Sequence, residues 1–222
     1  MAYDTASLVT EIKLLGKDQN IADSLVIGWI QETQDRVMGR HRFPQLESVT
    51  ITPMIIGDST SFLPSDLQTV DLLTLSDLEQ TTVPEYMAFR DFEERFRALP
   101  VQSQGRPNWY TIYARSVRFE RPVDKAYNIG LKYLRRPTEL TSGVVVPDIP
   151  QEYKKLLVHG GLAGLEAYRG NFDVEAIHLR RVEELEEDML LRYVTRQTTR
   201  TSKVRSTAKI TKARSPNQGY SL

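Results

Sequence analysis

Apolar residues near the start of the chain recur at helical spacing. Leu8, Ile12 and Leu15 fall at i, i+4 and i+7, with Gly16 as a stop. Ile21, Leu25 and Trp29, flanked by Val26, Ile30 and Val37, predict a second helix from about Ile21 to Arg40. Phe43-Pro44 closes it, because the residue before a proline is pushed out of the helical region. The pattern then changes. Ser48 to Thr52 and Val70 to Leu75 have the β-branched, alternating character of strands, with Leu63-Pro64-Ser65-Asp66 as a turn between them. Pro84 to Leu99 predicts a helix whose apolar surface is Met87, Phe89, Phe92, Phe96 and Leu99.

After the turn Gly105-Arg106-Pro107-Asn108 the period is two. Tyr110, Ile112 and Ala114 face one way, and Trp109, Thr111 and Tyr113 the other. Val117 and Phe119 continue the alternation, and Tyr127, Ile129, Leu131 and Tyr133 share a face. Three strands joined by short polar turns predict an antiparallel meander, its second face solvated or packed on a neighbouring chain. The chain then returns to helix. Asp148 is a candidate N-cap, with Pro150 in the first turn. Tyr153, Leu156, Leu157, Gly160, Gly161, Gly164, Leu165 and Tyr168 follow at i, i+3, i+4 spacing. A helical glycine costs about 1 kcal/mol relative to alanine, so three of them predict a close-packed neighbour. Gly170 is the expected C′ residue. Asp173 is the expected cap of a last helix from Val174 to about Arg196, with Val174, Ile177, Val182, Leu185 and Met189 along it.

Charge order changes the picture. The chain of 222 residues holds 29 basic and 29 acidic residues, a net charge of zero. From Met189 onward there are eight basic residues and no acidic one: Arg192, Arg196, Arg200, Lys203, Arg205, Lys209, Lys212 and Arg214. An acidic body thus carries a basic C-terminal arm, and such asymmetry points to a charged partner. Beyond Arg196 large apolar residues are scarce, so residues 197–222 are expected to be flexible when free. The arm suits nucleic-acid phosphates, an acidic protein surface, or a solubilising tail.

Enzyme chemistry finds little support. No cysteine is present, which excludes disulfides and thiolate sites. The three histidines, His41, His159 and His178, make a His-rich metal site improbable. His41 and His178 lack an obvious partner and read as structural. His159-Gly160-Gly161-Leu162 is not accompanied by a Gly-x-Ser-x-Gly elbow, and no phosphate-binding glycine loop occurs. Glu183, Glu184, Glu186, Glu187 and Asp188 fan around a helix rather than converge, so they read as an acidic face. Trp109, Tyr110, Tyr113, Phe119, Tyr127 and Tyr133 alternate with Arg115, Arg118, Arg121, Lys132, Arg135 and Arg136. That pattern suits either a single-strand nucleic-acid platform or a sheet core with solvated charges, and regular inward apolar positions favour the core. No run of roughly 20 apolar residues predicts a membrane span.

The order of four segments resembles the bacteriophage head-to-tail adaptor family. They are Arg42-Phe43-Pro44 after the early helix; the Leu63-Pro64-Ser65-Asp66-Leu67 turn; and Gly105-Arg106-Pro107-Asn108-Trp109-Tyr110 followed by Val117-Arg118-Phe119-Glu120-Arg121-Pro122. The fourth runs from Tyr127 to Tyr133 through Arg136-Pro137-Thr138-Glu139-Leu140-Thr141 to Pro147-Asp148-Ile149-Pro150. The resemblance implies a non-enzymatic virion protein without cofactor or metal. It implies a closed, twelve-fold ring between portal and a tail or nozzle protein, with DNA passing through the lumen. It maps portal docking onto Val174 to Leu222, and so onto the eight basic residues of the arm. A lumen lined by Glu183, Glu184, Glu187 or Asp188 would repel DNA and ease its passage.

The expected fold class is α+β: a helical bundle from the terminal segments (7–40 and 150–196), a small antiparallel sheet inserted over 45–140, and an extended C-terminal arm. Residues 1–196 form the body and 197–222 the arm. The expected location is the virion's head–tail interface, after assembly in the host cytoplasm, with no membrane contact. The rival readings are a nucleic-acid-binding protein working through the arm, and a tail or stopper structural protein.

Overall fold

A computed structural model of the chain describes residues 3–96 and 103–205. The fold is α+β, as expected, and its helices come from both ends of the chain. Helix α1 is Thr5–Leu15, α2 is Asp23–Arg40, α4 is Lys154–Arg169 and α5 is Phe172–Arg205. They share one core built on Leu8, Ile12, Val26, Ile30, Leu156 and Val182. Asp4 starts α1 with a capping box: its carboxylate accepts from the Ser7 N–H at 2.7 Å, and the Ser7 side chain accepts from the Asp4 N–H. Gly170 ends α4 at φ 78°, the left-handed conformation expected of it.

Helix α4 is the bundle's centre because its small residues let α1 and α2 approach. A β-carbon on Gly164 would lie 2.6 Å from Trp29 Cδ2, and one on Gly161 would press on Ile12 and Ile30. The close-packed neighbour predicted from the glycines is therefore α2, with α1 beside it.

The inserted strands form two four-stranded sheets. The strands are β1 Glu47–Met54, β2 Thr60–Phe62, β3 Leu67–Ser76, β4 Thr81–Thr82, β5 Glu85–Tyr86, β6 Trp109–Tyr113, β7 Ser116–Phe119 and β8 Tyr127–Arg135. One sheet has the order β1-β8-β3-β4, antiparallel throughout. The other has the order β2-β7-β6-β5, with only β5 and β6 parallel. Between them lies a second core of Met54, Leu73, Leu75, Phe119, Val123 and the inward side of β8.

The expected three-stranded meander is corrected here. β6 and β7 form a hairpin, but β8 leaves it to lie between β1 and β3 of the other sheet. The expected helix from Pro84 shrinks to α3, Phe89–Phe96, after the short strand β5, and Leu99 lies outside the described residues. Helix α3 covers part of the second face of β6, and Tyr113 on it remains 46% exposed. Phe89 of α3 stacks on Tyr113 with centroids 4.1 Å apart, and Arg95 sits over Trp109 at 4.9 Å.

Two expected caps also differ. Asp148 does not cap α4, which follows a 3-10 turn at Gln151–Tyr153, and the first N–H groups of α5 bond to the Asn171 carbonyl instead of Asp173. The inward stripes are shifted as well. Leu15, Leu25, Val174 and Ile177 are exposed, whereas Val9 and Met38, outside the expected stripes, are buried.

Candidate functional site

The segments that carry the family resemblance are joints between bundle and sheets. Phe43 is fully buried in the bundle core, and beside it the Arg42 guanidinium pairs with Asp71 of β3 and with Glu47 of β1. Glu120 has its carboxylate shielded from solvent and accepts the N–H groups of Asn108 and Trp109, both at 2.9 Å. That fixes the Gly105–Asn108 turn. Arg106 from this turn and Lys125 both reach Asp77, at 3.1 and 2.8 Å. Lys125 and the N–H groups of Gln80 and Glu79 hold the Asp77 carboxyl well below the usual carboxylate range.

The strongest joint centres on Asp148. Its carboxylate pairs with Arg135 at the end of β8 and accepts the Thr138 N–H, while its own N–H donates to Gln34 Oε1 at 3.0 Å. The fully buried Gln34 amide also donates to the Thr138 carbonyl at 2.8 Å, and Gln31 accepts the Leu140 N–H at 2.7 Å. Two glutamines of α2 thus hold the irregular segment before α4. Sequence alone does not reveal them, because a glutamine on a helix surface and one in a core look alike until the partner carbonyl is known.

Four of the six aromatic residues in the aromatic and basic strand pattern belong to the sheet core. Tyr110, Phe119, Tyr127 and Tyr133 are buried there, Arg95 of α3 sits over Trp109, Tyr113 stacks on Phe89 but stays exposed, and Arg135 is tied to Asp148. The core reading of this pattern holds.

Helix α5 carries most of the predicted site residues. It has 34 residues, about 51 Å at 1.5 Å per residue. Its first half packs on α4, and its contacts with the bundle reach Tyr193 and Val194. Tyr193 donates to Glu152 at 2.5 Å, and Arg192 pairs with Glu152 at 3.2 Å. The helix was expected to end near Arg196, yet the backbone stays helical to Arg205. No glycine or proline interrupts this stretch, so nothing in it stops a helix already under way. Arg196, Arg200, Lys203 and Arg205 therefore lie on helical backbone, and Lys209, Lys212 and Arg214 lie outside the described residues.

The acidic residues of α5 separate into different roles. Glu186 is buried on the inward side, 3.8 Å from both Arg40 and His41. Its phase with Val182 and Met189, which lie four residues before it and three after, is the signal that marks it as inward. Asp188 accepts the Tyr153 hydroxyl at 2.7 Å, and Glu184 pairs with Arg181 at 2.6 Å. Glu183 and Glu187 are exposed and have no ion-pair partner among the described residues. His178 does have a partner, contrary to expectation: its Nδ1 lies 3.1 Å from His159 Nδ1 across the α4–α5 contact. Burial, then His178, Arg181 and Lys155, push the His159 imidazole below its ordinary value.

The SU10 adaptor protein family matches residues 3–210. The chain belongs to that family. The SU10 adaptors are a phage head-to-tail adaptor family, which makes this chain a structural adaptor protein of a phage virion. No curated protein matches it. Among the described residues no group of three or more ligating side chains could hold a metal ion, and no helix is long and apolar enough to cross a membrane.

Proposed function

We propose that copies of this SU10 adaptor close into a ring, twelve-fold as the resemblance implies, that joins portal to tail and encircles the DNA path. The end of α5 docks on the portal. The observation that carries this reading is the charge order along α5. Its acidic residues lie on the part packed against the body, where Arg192 is still paired with Glu152, and the other basic residues follow after the last contacts at Tyr193 and Val194. Arg192, Arg196, Arg200 and Lys203 recur at three- and four-residue spacing, the spacing of one helix face. A basic helix of this kind suits an acidic groove, where arginine pairs with carboxylates in bidentate geometry.

Of the four carboxylates assigned to the lumen, Glu183 and Glu187 are the two left unpaired on α5 among the described residues. Spaced i, i+4, they would present like charge to passing phosphates. The chain would be assembled in the host cytoplasm and reside at the head–tail interface.

Deletion of residues 198–222 tests the docking. The shortened chain should keep its melting temperature within about 2 °C, since the bundle contacts stop short of the cut, and should no longer co-migrate with portal in size-exclusion chromatography. Undiminished portal binding would contradict the reading. Salt-sensitive DNA binding lost with the same deletion would favour the nucleic-acid rival.

A further inference from the structure

Strand β1 is an edge strand whose protection is confined to its two ends, Glu47 at the start and Pro53 near the finish. In the order β1-β8-β3-β4 it is paired on one side only, by β8. Alternate residues of such a strand point their N–H and C=O groups away from the sheet. Soluble proteins blunt these edges with charges, bulges or a covering element, because an uncovered apolar edge recruits other strands. Here the ten residues Ser48 to Gly57 contain no charge. Val49 and Ile51, on the outward face, are 64% and 68% exposed, and Ile55 and Ile56 beyond the strand are also exposed.

The opposite edge of the same sheet has matching character. Strand β4 is paired only by β3, and Gln80 to Pro84 again contains no charge. Leu78, in the turn between β3 and β4, is 106% exposed, and Val83 is 62% exposed. Strand direction agrees too. The four strands alternate in direction, so β4 of one copy and β1 of the next run antiparallel when the copies are related by rotation about an axis along the strands.

We infer that neighbouring copies join head to tail through this sheet, the β1 edge of one copy pairing with the β4 edge of the next. Thr81 and Thr82 are level with Pro53 and Thr52 through the shared register, so Val83 then meets Ile51, and Leu78, in the turn beyond Ser76, meets the Ile55–Ile56 end of the edge. This inference rests on the ring reading and names the junction between its subunits. A contact between two different edges is heterologous, and heterologous contacts propagate until rotation closes them into a ring.

The test uses the full chain with portal, in three forms: wild type, Ile51→Asp and Leu78→Asp. Both substituted side chains are exposed, so each variant should unfold within about 2 °C of the wild type. The wild type should form a complete ring on the portal. Each variant alone should fail to form rings, and the two variants mixed without portal should give one-to-one pairs, because each pair keeps one intact junction. Rings from Ile51→Asp, or no pairs from the mixture, would overturn the pairing while leaving the ring reading in place. Loss with Ile51→Asp but normal rings with Leu78→Asp would overturn β4 as the partner edge. A wild-type chain that never assembles, alone or with portal, would overturn both readings.

Discussion

Gly160 of α4 lies against Thr33 of α2 with no room for a side chain: a β-carbon there would fall 2.5 Å from Thr33 Cγ2 and 2.7 Å from its Cβ. The Thr33 hydroxyl donates to the Trp29 carbonyl at 2.8 Å, which holds the side chain in place. Gly160→Ala should therefore destabilise the bundle by about 1–3 kcal/mol, although alanine is the better helix former. At Gly28 and Gly39 on α2 an added methyl would meet nothing within 4 Å, so alanine at either should stabilise by about 0.5–1 kcal/mol. Urea unfolding of the three variants checks the opposite signs. Equal effects at Gly160 and Gly28 would mean that α4 and α2 do not pack this closely.

Asp148 ties the end of β8 to the segment before α4, and its side chain is 9% exposed. Asp148→Ala would remove the ion pair of Arg135, which keeps only its neutral acceptors Thr138 Oγ1 and the Arg136 and Gln45 carbonyls, and would leave the Thr138 N–H without its acceptor. The expected cost is about 2–4 kcal/mol, measured as a lower urea midpoint. A cost under about 0.5 kcal/mol would show that water replaces the carboxylate freely. Because this joint sets how the sheets sit on the bundle, the same substitution should weaken ring assembly more than Gly160→Ala does at equal loss of stability.

Burial of His159, with the charge of His178 beside it, makes stability depend on pH. A free imidazole ionises near 6.5, and His159 is held below that by burial and by the cations around it. The unfolded chain therefore takes up a proton that the folded chain resists. Unfolding free energy should be highest above about pH 6.5, fall as pH drops through that value, and level off once the folded-state value is passed. His159→Gln should flatten the profile between about pH 7.5 and 5. Urea midpoints at the two pH values measure this, and an equally steep fall in the variant would assign the dependence to another group.

Helical periodicity made four of the helices legible, because apolar residues at i, i+3 and i+4 must face something. Which stripe faces inward was less legible. Leu25 and Trp29 look as apolar as Val26 and Ile30, and only the glycines of α4 decide that Val26 and Ile30 go in while Trp29 lies over Gly164. In the sheets, alternation marked the inward side of β8 correctly as Tyr127, Ile129, Leu131 and Tyr133. Alternation carries no information on pairing partners, so nearness in sequence suggested β7, whereas β8 pairs with β1 and β3. The joints at Asp148, Glu120 and Asp77 depend on contacts between distant segments and leave no local pattern. The charge order of α5 was legible in full, since it needs only the residues themselves.

The most direct test of the central claim is an image of the assembled neck by electron cryo-microscopy, at a resolution that traces helices. The expected result is this chain as a closed ring beneath the portal, with the end of α5 lodged against the portal ring and Glu183 and Glu187 turned toward the DNA path. A neck without this chain, or a ring whose α5 points away from the portal, would contradict it.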